Sequence, residues 1–338
     1  MVLLFALSTA LSDRNSLAED VVVVRTPTQS VLMTLRGMVV DYTGEQLSLR
    51  TGATAAVRTI PITDVVSVQT DYVEAHARGR DLFAAGKIRE AEEQFQIALE
   101  EEERPWVRRE LLATLVRCAL FEDHLHRAAI RFVAIIESDP RSMYWGLIPL
   151  VWHTEAVNTP TEAETRSLQA VGTPLSNLIA ASWNLERNGH RNPDAEAILQ
   201  ALAADANPTL QRLAQMQLWR VRLASHSVTV NELRRWEVLA DDLPPSLRAG
   251  AHALMGQAAL QQQDALKAAA EWMWLPLRHA DHRGLAAWGQ VHAAEALLAA
   301  GNSASARHLA IEAQQRFPGT RALKRAETLL KTIGSVGE

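Results

Sequence analysis

The residues best suited to chemistry are histidines and acids in two short clusters. Glu122-Asp123-His124-Leu125-His126 and His279-Ala280-Asp281-His282 each gather imidazole and carboxylate groups within a few positions. Such groups ligate divalent ions or exchange protons. Zinc, however, takes three or four convergent ligands, and neither cluster has a third partner close in sequence. Both clusters also fall where a helical pattern breaks, so a polar, solvated turn is the favoured reading of each. A metal-dependent protein built on His279, Asp281 and His282 is the weaker alternative. The single cysteine, Cys118, lies among Leu115, Val116, Ala119 and Leu120, an apolar setting in which a thiol is inert. No phosphate-binding glycine loop, nucleophile elbow or H-E-x-x-H helix occurs. The chain therefore reads as non-enzymatic, with no catalytic residue, no cofactor and no metal assigned.

A long helical array must position these clusters. From Asp71 onward, Gly79, Leu82, Gly86, Ala91, Phe95 and Ala98 form a frame. Gly79 and Ala91 let two antiparallel helices approach closely, Gly86 opens the turn between them, and Phe95 fills the wedge beside them. Ala128, Phe132 and Ile135 repeat the frame 37 positions later, followed by Pro140. Pro105 suits the first position of the helix that intervenes. Near the carboxy terminus the same order returns in Ala294, Leu297, Gly301, Ala306, Ala310, Ala313 and Pro318. A looser copy precedes it in Gly256, Ala259, Ala268, Trp272 and Leu275.

Four units in one frame resemble the tetratricopeptide-repeat (TPR) family, over residues 71–140 and 246–320. The middle, 141–245, resembles HEAT-like helical repeats. There Pro174 and Pro208 each open a helix, and Ala195, Ile198, Leu199 and Leu202 mark one face of a third helix over 194–204. Pro149 and Pro160 limit helices, Pro244-Pro245 makes a break, and Pro276 is expected to end the helix carrying Trp272 and Trp274. The resemblance implies a mainly α fold, a TPR-like α-solenoid whose stacked pairs bury one continuous core. It also implies a protein or peptide partner held in the concave groove, lined by the first helix of each pair. That gives Arg78, Asp81, Arg109 and Arg117 as candidate partner-binding residues. The Lys/Asn/Arg clamp of chaperone-binding TPR domains is not found, so a peptide carboxylate is not specifically implied. The nine tryptophans, scattered one or two per pair, read mostly as core wedges, with any exposed subset the interesting exception.

Residues 19–70 differ. Val21–Val24, Val31–Val40, Gln46–Arg50, Ala55–Ile60 and Val65–Gln69 alternate or are β-branched, with turns at Asp41–Gly44 and Thr51-Gly52. Four or five short strands are best satisfied by a small closed or half-closed barrel. The run Leu35–Gly44 followed by Leu47-Ser48-Leu49 resembles an Sm-like or SH3-like small β-barrel. The RNA-pocket motifs of Sm proteins are absent, and four Arg against five acids leave the segment at −1. An RNA-associated module is thus the alternative reading, and it requires Arg36, Arg50 and Arg58 to form a patch on one face.

Composition bounds the rest. With 338 residues, 48% apolar, the chain is long enough for two or three domains, and a net charge of −5 argues against a general nucleic-acid binder. One Cys excludes an internal disulfide. Val2–Leu11 is apolar, and Ser16 and Ala18 suit the −3 and −1 positions of a signal-peptidase site, although no Lys or Arg precedes the run. Residues 1–18 are accordingly expected to be a signal peptide, placing the protein in the periplasm or cell envelope; without that signal it is cytoplasmic. No other stretch is long and apolar enough for an integral membrane segment. The expected organisation is 19–70 barrel, 71–140 TPR-like, 141–245 irregular or HEAT-like, and 246–334 TPR-like. The expected role is a non-enzymatic interaction scaffold or adaptor.

Overall fold

β-Branched runs interrupted by Gly and Pro give five short strands at the amino-terminal end of the computed structural model. The structure describes residues 19–26, 31–52, 56–153, 159–187 and 189–335. The expected signal segment, 1–18, lies outside the described residues. Two units are present, the first ending at Val73 and the second beginning at Glu74.

The first unit is an antiparallel sheet of β1 (Asp20–Arg25), β2 (Leu32–Tyr42), β3 (Gln46–Arg50), β4 (Val57–Pro61) and β5 (Val65–Gln69). Their order is β4-β3-β2-β1-β5. The first half of β2 pairs with β1 and the second half with β3, so one long strand serves two ladders. Gly37 stands at the changeover, where a Cβ would lie 2.4 Å from the Arg50 carbonyl oxygen. Val22, Val24, Val39, Leu47, Leu49 and Ile60 are buried and form the core. A closed barrel is not formed. β4 and β5 are adjacent in sequence but lie at opposite edges of the sheet, joined by a 3₁₀ turn over Ile62–Asp64. Closure requires a β4–β5 ladder in addition to the β1–β5 one, and none is formed among the described residues.

The second unit is helical, and the described residues of the chain hold fourteen α-helices, all within it. Four pairs share one construction: α1 (Glu74–Ala84) with α2 (Ile88–Glu101), and α3 (Pro105–Phe121) with α4 (Leu125–Ser138). After α5–α9, the same construction returns in α10 (Arg248–Gln261) with α11 (Ala265–Arg278), and α12 (Arg283–Ala299) with α13 (Ser303–Arg316). In each turn one residue adopts the left-handed conformation: Gly86 at φ 76°, Asp123 at 56°, Gln263 at 62° and Gly301 at 82°. The next amide then donates to the carbonyl five residues back: Lys87 to Leu82 at 2.9 Å, His124 to Ala119 at 2.8 Å, Asp264 to Ala259 at 3.0 Å, Asn302 to Leu297 at 2.9 Å. This is the Schellman closure of a helix end, present in all four pairs and again after the helix that closes at Ala224, where His226 is left-handed at φ 49° and Ser227 donates to the Arg222 carbonyl at 3.2 Å. Ala91, Ala128, Ala268 and Ala306 are fully buried at the equivalent place in each second helix. A Cβ on Gly79 would meet the Phe95 ring at 2.7 Å, and one on Gly256 the Trp272 indole nitrogen at 2.4 Å. Small residues thus admit the bulky wedge opposite them.

The middle helices are α5 (Glu162–Gln169), α6 (Pro174–Asn184), α7 (Pro193–Leu202), α8 (Pro208–Ala224) and α9 (Val230–Asp241). Thr161, Thr173, Asn192, Asn207 and Thr229 cap them by accepting backbone N–H bonds. A last helix, α14 (Ala322–Ser335), covers α12 and α13 through Ala326 and Leu329. Pro276 does not end α11, which continues to Arg278. Its missing N–H forfeits one bond, to the Trp272 carbonyl, and that loss is tolerated in the final turn.

One buried segment of the helical unit has no regular structure. After a 3₁₀ turn over Met143–Leu147, the chain runs through Ile148–His153 without regular structure, and Ile148, Leu150, Val151 and Trp152 are buried. Its backbone is satisfied by distant side chains. Trp183 Nε1 donates to the Pro149 carbonyl at 2.9 Å, Val151 N–H donates to Ser182 Oγ at 3.0 Å, and Gln257 Nε2 donates to the Trp152 carbonyl at 3.2 Å. Ser182 Oγ in turn donates to Gln217 Oε1, which also accepts from the buried Arg220. The Trp152 ring lies where a Cβ on Gly250 would be 2.4 Å away. This strap therefore binds α6 and α10 together from the inside.

Candidate functional site

Trp272 and Trp274 are two positions apart on α11, about 200° around the helix, so both cannot face the core. Trp272 is buried and donates from Nε1 to the Ala253 carbonyl at 3.1 Å. Trp274 is 43% exposed, while the other eight tryptophans are 8% exposed or less. His252 of α10 stacks on the Trp274 ring at 5.0 Å between centroids, with 10° between planes. The Arg278 guanidinium lies 5.7 Å from the same ring. Glu271 fixes His252, with Nδ1 and Oε2 2.8 Å apart.

These side chains line one wall of a cleft of about 510 Å³. Met143–Leu147 supplies a second wall, and the Pro245–Ala249 stretch at the start of α10 a third. Arg117 of α3 and His279, Asp281 and His282 of the α11–α12 loop complete it. Three arginines line the cleft against one carboxylate. Arg117 holds that carboxylate, Asp281, at 3.6 Å. Arg248 donates to backbone carbonyls, from Nε to Leu243 at 2.9 Å and from Nη2 to Asp241 at 2.7 Å. Arg278 forms no hydrogen bond or ion pair among the described residues, and its contact is the Trp274 ring. Burial holds His279 below the usual histidine range, partly offset by Asp281, and pushes His282 down to about 4. Both imidazoles are neutral at pH 7, so the positive charge of the cleft comes from arginine.

A second chamber of about 320 Å³ shares His282 with the first. Leu120, Leu125, Leu150, Val151, Leu285 and Trp288 give it an apolar lining. His153 stacks on Trp288 at 4.8 Å. Its charges are already matched: Arg321 lies 3.0 Å from Asp123, and Arg325 pairs with Glu295. The two ends of the strap serve the two chambers, Met143–Leu147 the charged one and Leu150–His153 the apolar one.

The four residues expected to line a groove are divided. Arg78 and Asp81 are exposed on α1. On α3, Arg109 is buried, with Nη1 3.3 Å from Ser138 Oγ, and Arg117 is engaged by Asp281 in the charged cleft. The two histidine clusters do not converge on an ion: among the described residues no three His, Cys, Asp or Glu groups come together in metal-binding geometry. In the first cluster His124 lies 3.3 Å from Glu122, and His126 lies 3.7 Å from Glu164. Burial raises the Cys118 thiol to about 12, so no thiolate is present at neutral pH. On the sheet, Arg36 and Arg50 share a face, since Arg50 pairs with Met38, two residues from Arg36. Arg58 pairs with Leu49 and so points to the opposite face. The one-face patch that an RNA module needs is not formed.

Trp274 and Arg278 lie on α11, the second helix of its pair, and so escape the family frame, which assigns only first-helix residues to the groove; Arg248 and His252, on the first helix α10, fit that frame but carry no spacing signal of their own. The spacing of Trp272 and Trp274 was the available signal. No helix among the described residues is long and apolar enough to cross a membrane. Comparisons with protein-family models, curated proteins and solved structures return no match for this chain.

Proposed function

We propose that the chain is a non-enzymatic interaction protein, an adaptor whose TPR-like helical unit docks a partner protein at the Trp274 cleft. The single observation that carries this reading is the exposure of Trp274. A solvated tryptophan flanked by a histidine and an arginine, at the mouth of a cleft, is the composition of a binding hot spot. Met143 and Leu277, 45% and 66% exposed, extend the apolar surface beside it. The construction shared by the four helix pairs supports a TPR-like solenoid, and the placement of Arg58 on the face opposite Arg36 and Arg50 favours a first unit that packs or docks over one that binds RNA. Export to the periplasm or cell envelope belongs to the same reading and rests on residues 1–18 alone.

Crosslinking in the native cell, compared between the wild type and Trp274→Ala, tests this. Truncating an exposed side chain leaves the fold intact, so a partner recovered with the wild type is expected to be lost with the variant. Recovery of no partner, or undiminished recovery with Trp274→Ala, contradicts the reading.

A further inference from the structure

We infer that the Trp274 cleft takes an acidic segment of its partner, one that lays aliphatic or aromatic side chains along α11 and sets a carboxylate against Arg278. This rests on the docking reading above and adds the partner's chemistry to it.

The first observation is length. Leu266, Ala270, Trp274 and Leu277 are all exposed and fall at i, i+4, i+8 and i+11 on one face of α11. Eleven residues of helix span about 16 Å, so this apolar row runs beyond the cleft mouth and suits a polypeptide rather than a small ligand. The second observation is charge. Of the arginines lining the cleft, Arg117 is held by Asp281 and Arg248 is held by carbonyls, which leave its charge uncompensated. Arg278 has only the Trp274 ring. Next to the row, Lys267 is already paired with Glu237, so the unmatched charge is concentrated at the Arg278 end.

A partner that covers the apolar row also removes water from Arg278. Desolvating a guanidinium without a carboxylate is costly, and supplying one yields a charge-assisted, bidentate contact. A basic segment would place like charges together there. A nucleic acid would offer charge but nothing to cover Leu266 and Leu277.

The test uses the full chain and two fluorescein-labelled amphipathic peptides. Both carry Leu and Phe at helical spacing; one is flanked by Glu and the other by Lys. Fluorescence anisotropy is expected to show the Glu peptide binding at least ~10-fold more tightly, with Trp274→Ala losing at least ~10-fold, as truncation of a hot-spot residue does. Arg278→Glu is expected to reverse the preference, and rising salt to weaken the Glu peptide. Both substitutions lie on exposed side chains, and circular dichroism of each variant checks that the helices are kept. Equal binding of the two peptides, or binding of neither, overturns the inference. Tighter binding of the Lys peptide, abolished by Trp274→Ala, overturns the acidic assignment while leaving the docking site in place.

Discussion

A methyl group added at Gly256 would press on a ring that has nowhere to go. Trp272 is buried and its indole N–H is bonded to the Ala253 carbonyl, so the ring cannot swing away from an atom placed 2.4 Å from it. In a helix interior Gly→Ala ordinarily gains about 1 kcal/mol. Overpacking a tight core costs about 1–3 kcal/mol, and at this site it outweighs the gain. Gly256→Ala is therefore expected to lower the urea midpoint, whereas Gly334→Ala, with no atom within 4 Å of its Cβ, holds or raises it. Titration offers a second test at this scale. Burial holds His76 and His282 at about 4, below the 6.5 of a free imidazole. As pH falls, the unfolded chain takes up these protons first, so stability is complete above about 6.5 and declines between there and about 4. His76→Gln, measured by urea unfolding across that window, is expected to show a shallower decline than the wild type.

At the scale of elements, the repeated helix turn makes its own prediction. Gln263 and Gly301 occupy the same left-handed position, yet only one of them is free of the Cβ penalty. Gln263→Gly is expected to stabilise the protein and Gly301→Ala to destabilise it, each by about 1 kcal/mol, read from thermal or urea unfolding. This turn is the most legible part of the fold. Its small residues and its wedge at Phe95 or Trp272 lie within one helix pair, so local spacing reports them. The strap is illegible for the opposite reason. Pro149-Leu150-Val151-Trp152 reads as a broken helix because the groups that satisfy its backbone, Ser182, Trp183 and Gln257, stand 31, 34 and 105 residues away. Sheet closure fails on the same ground. Alternation reveals five strands but not that the edge strands β4 and β5 stay unpaired with each other.

At the scale of the whole helical unit, the Trp274 cleft draws on α3, α10, α11 and the Met143–Leu147 turn, elements far apart in sequence. Arg109 is buried and Arg117 is engaged, so only Arg78 and Asp81 of the expected groove face solvent. The exposed aromatic and the uncompensated arginine sit together on α11, and the docking proposal rests on that pairing. A photoreactive amino acid at position 277, next to the cleft, and another at position 130, exposed on α4, compare the two surfaces in the native cell. The account predicts adducts to a partner from position 277 that disappear when Arg278→Glu is added, and none of that partner from position 130. Equal adducts from both positions, or adducts at 277 that persist with Arg278→Glu, would contradict it.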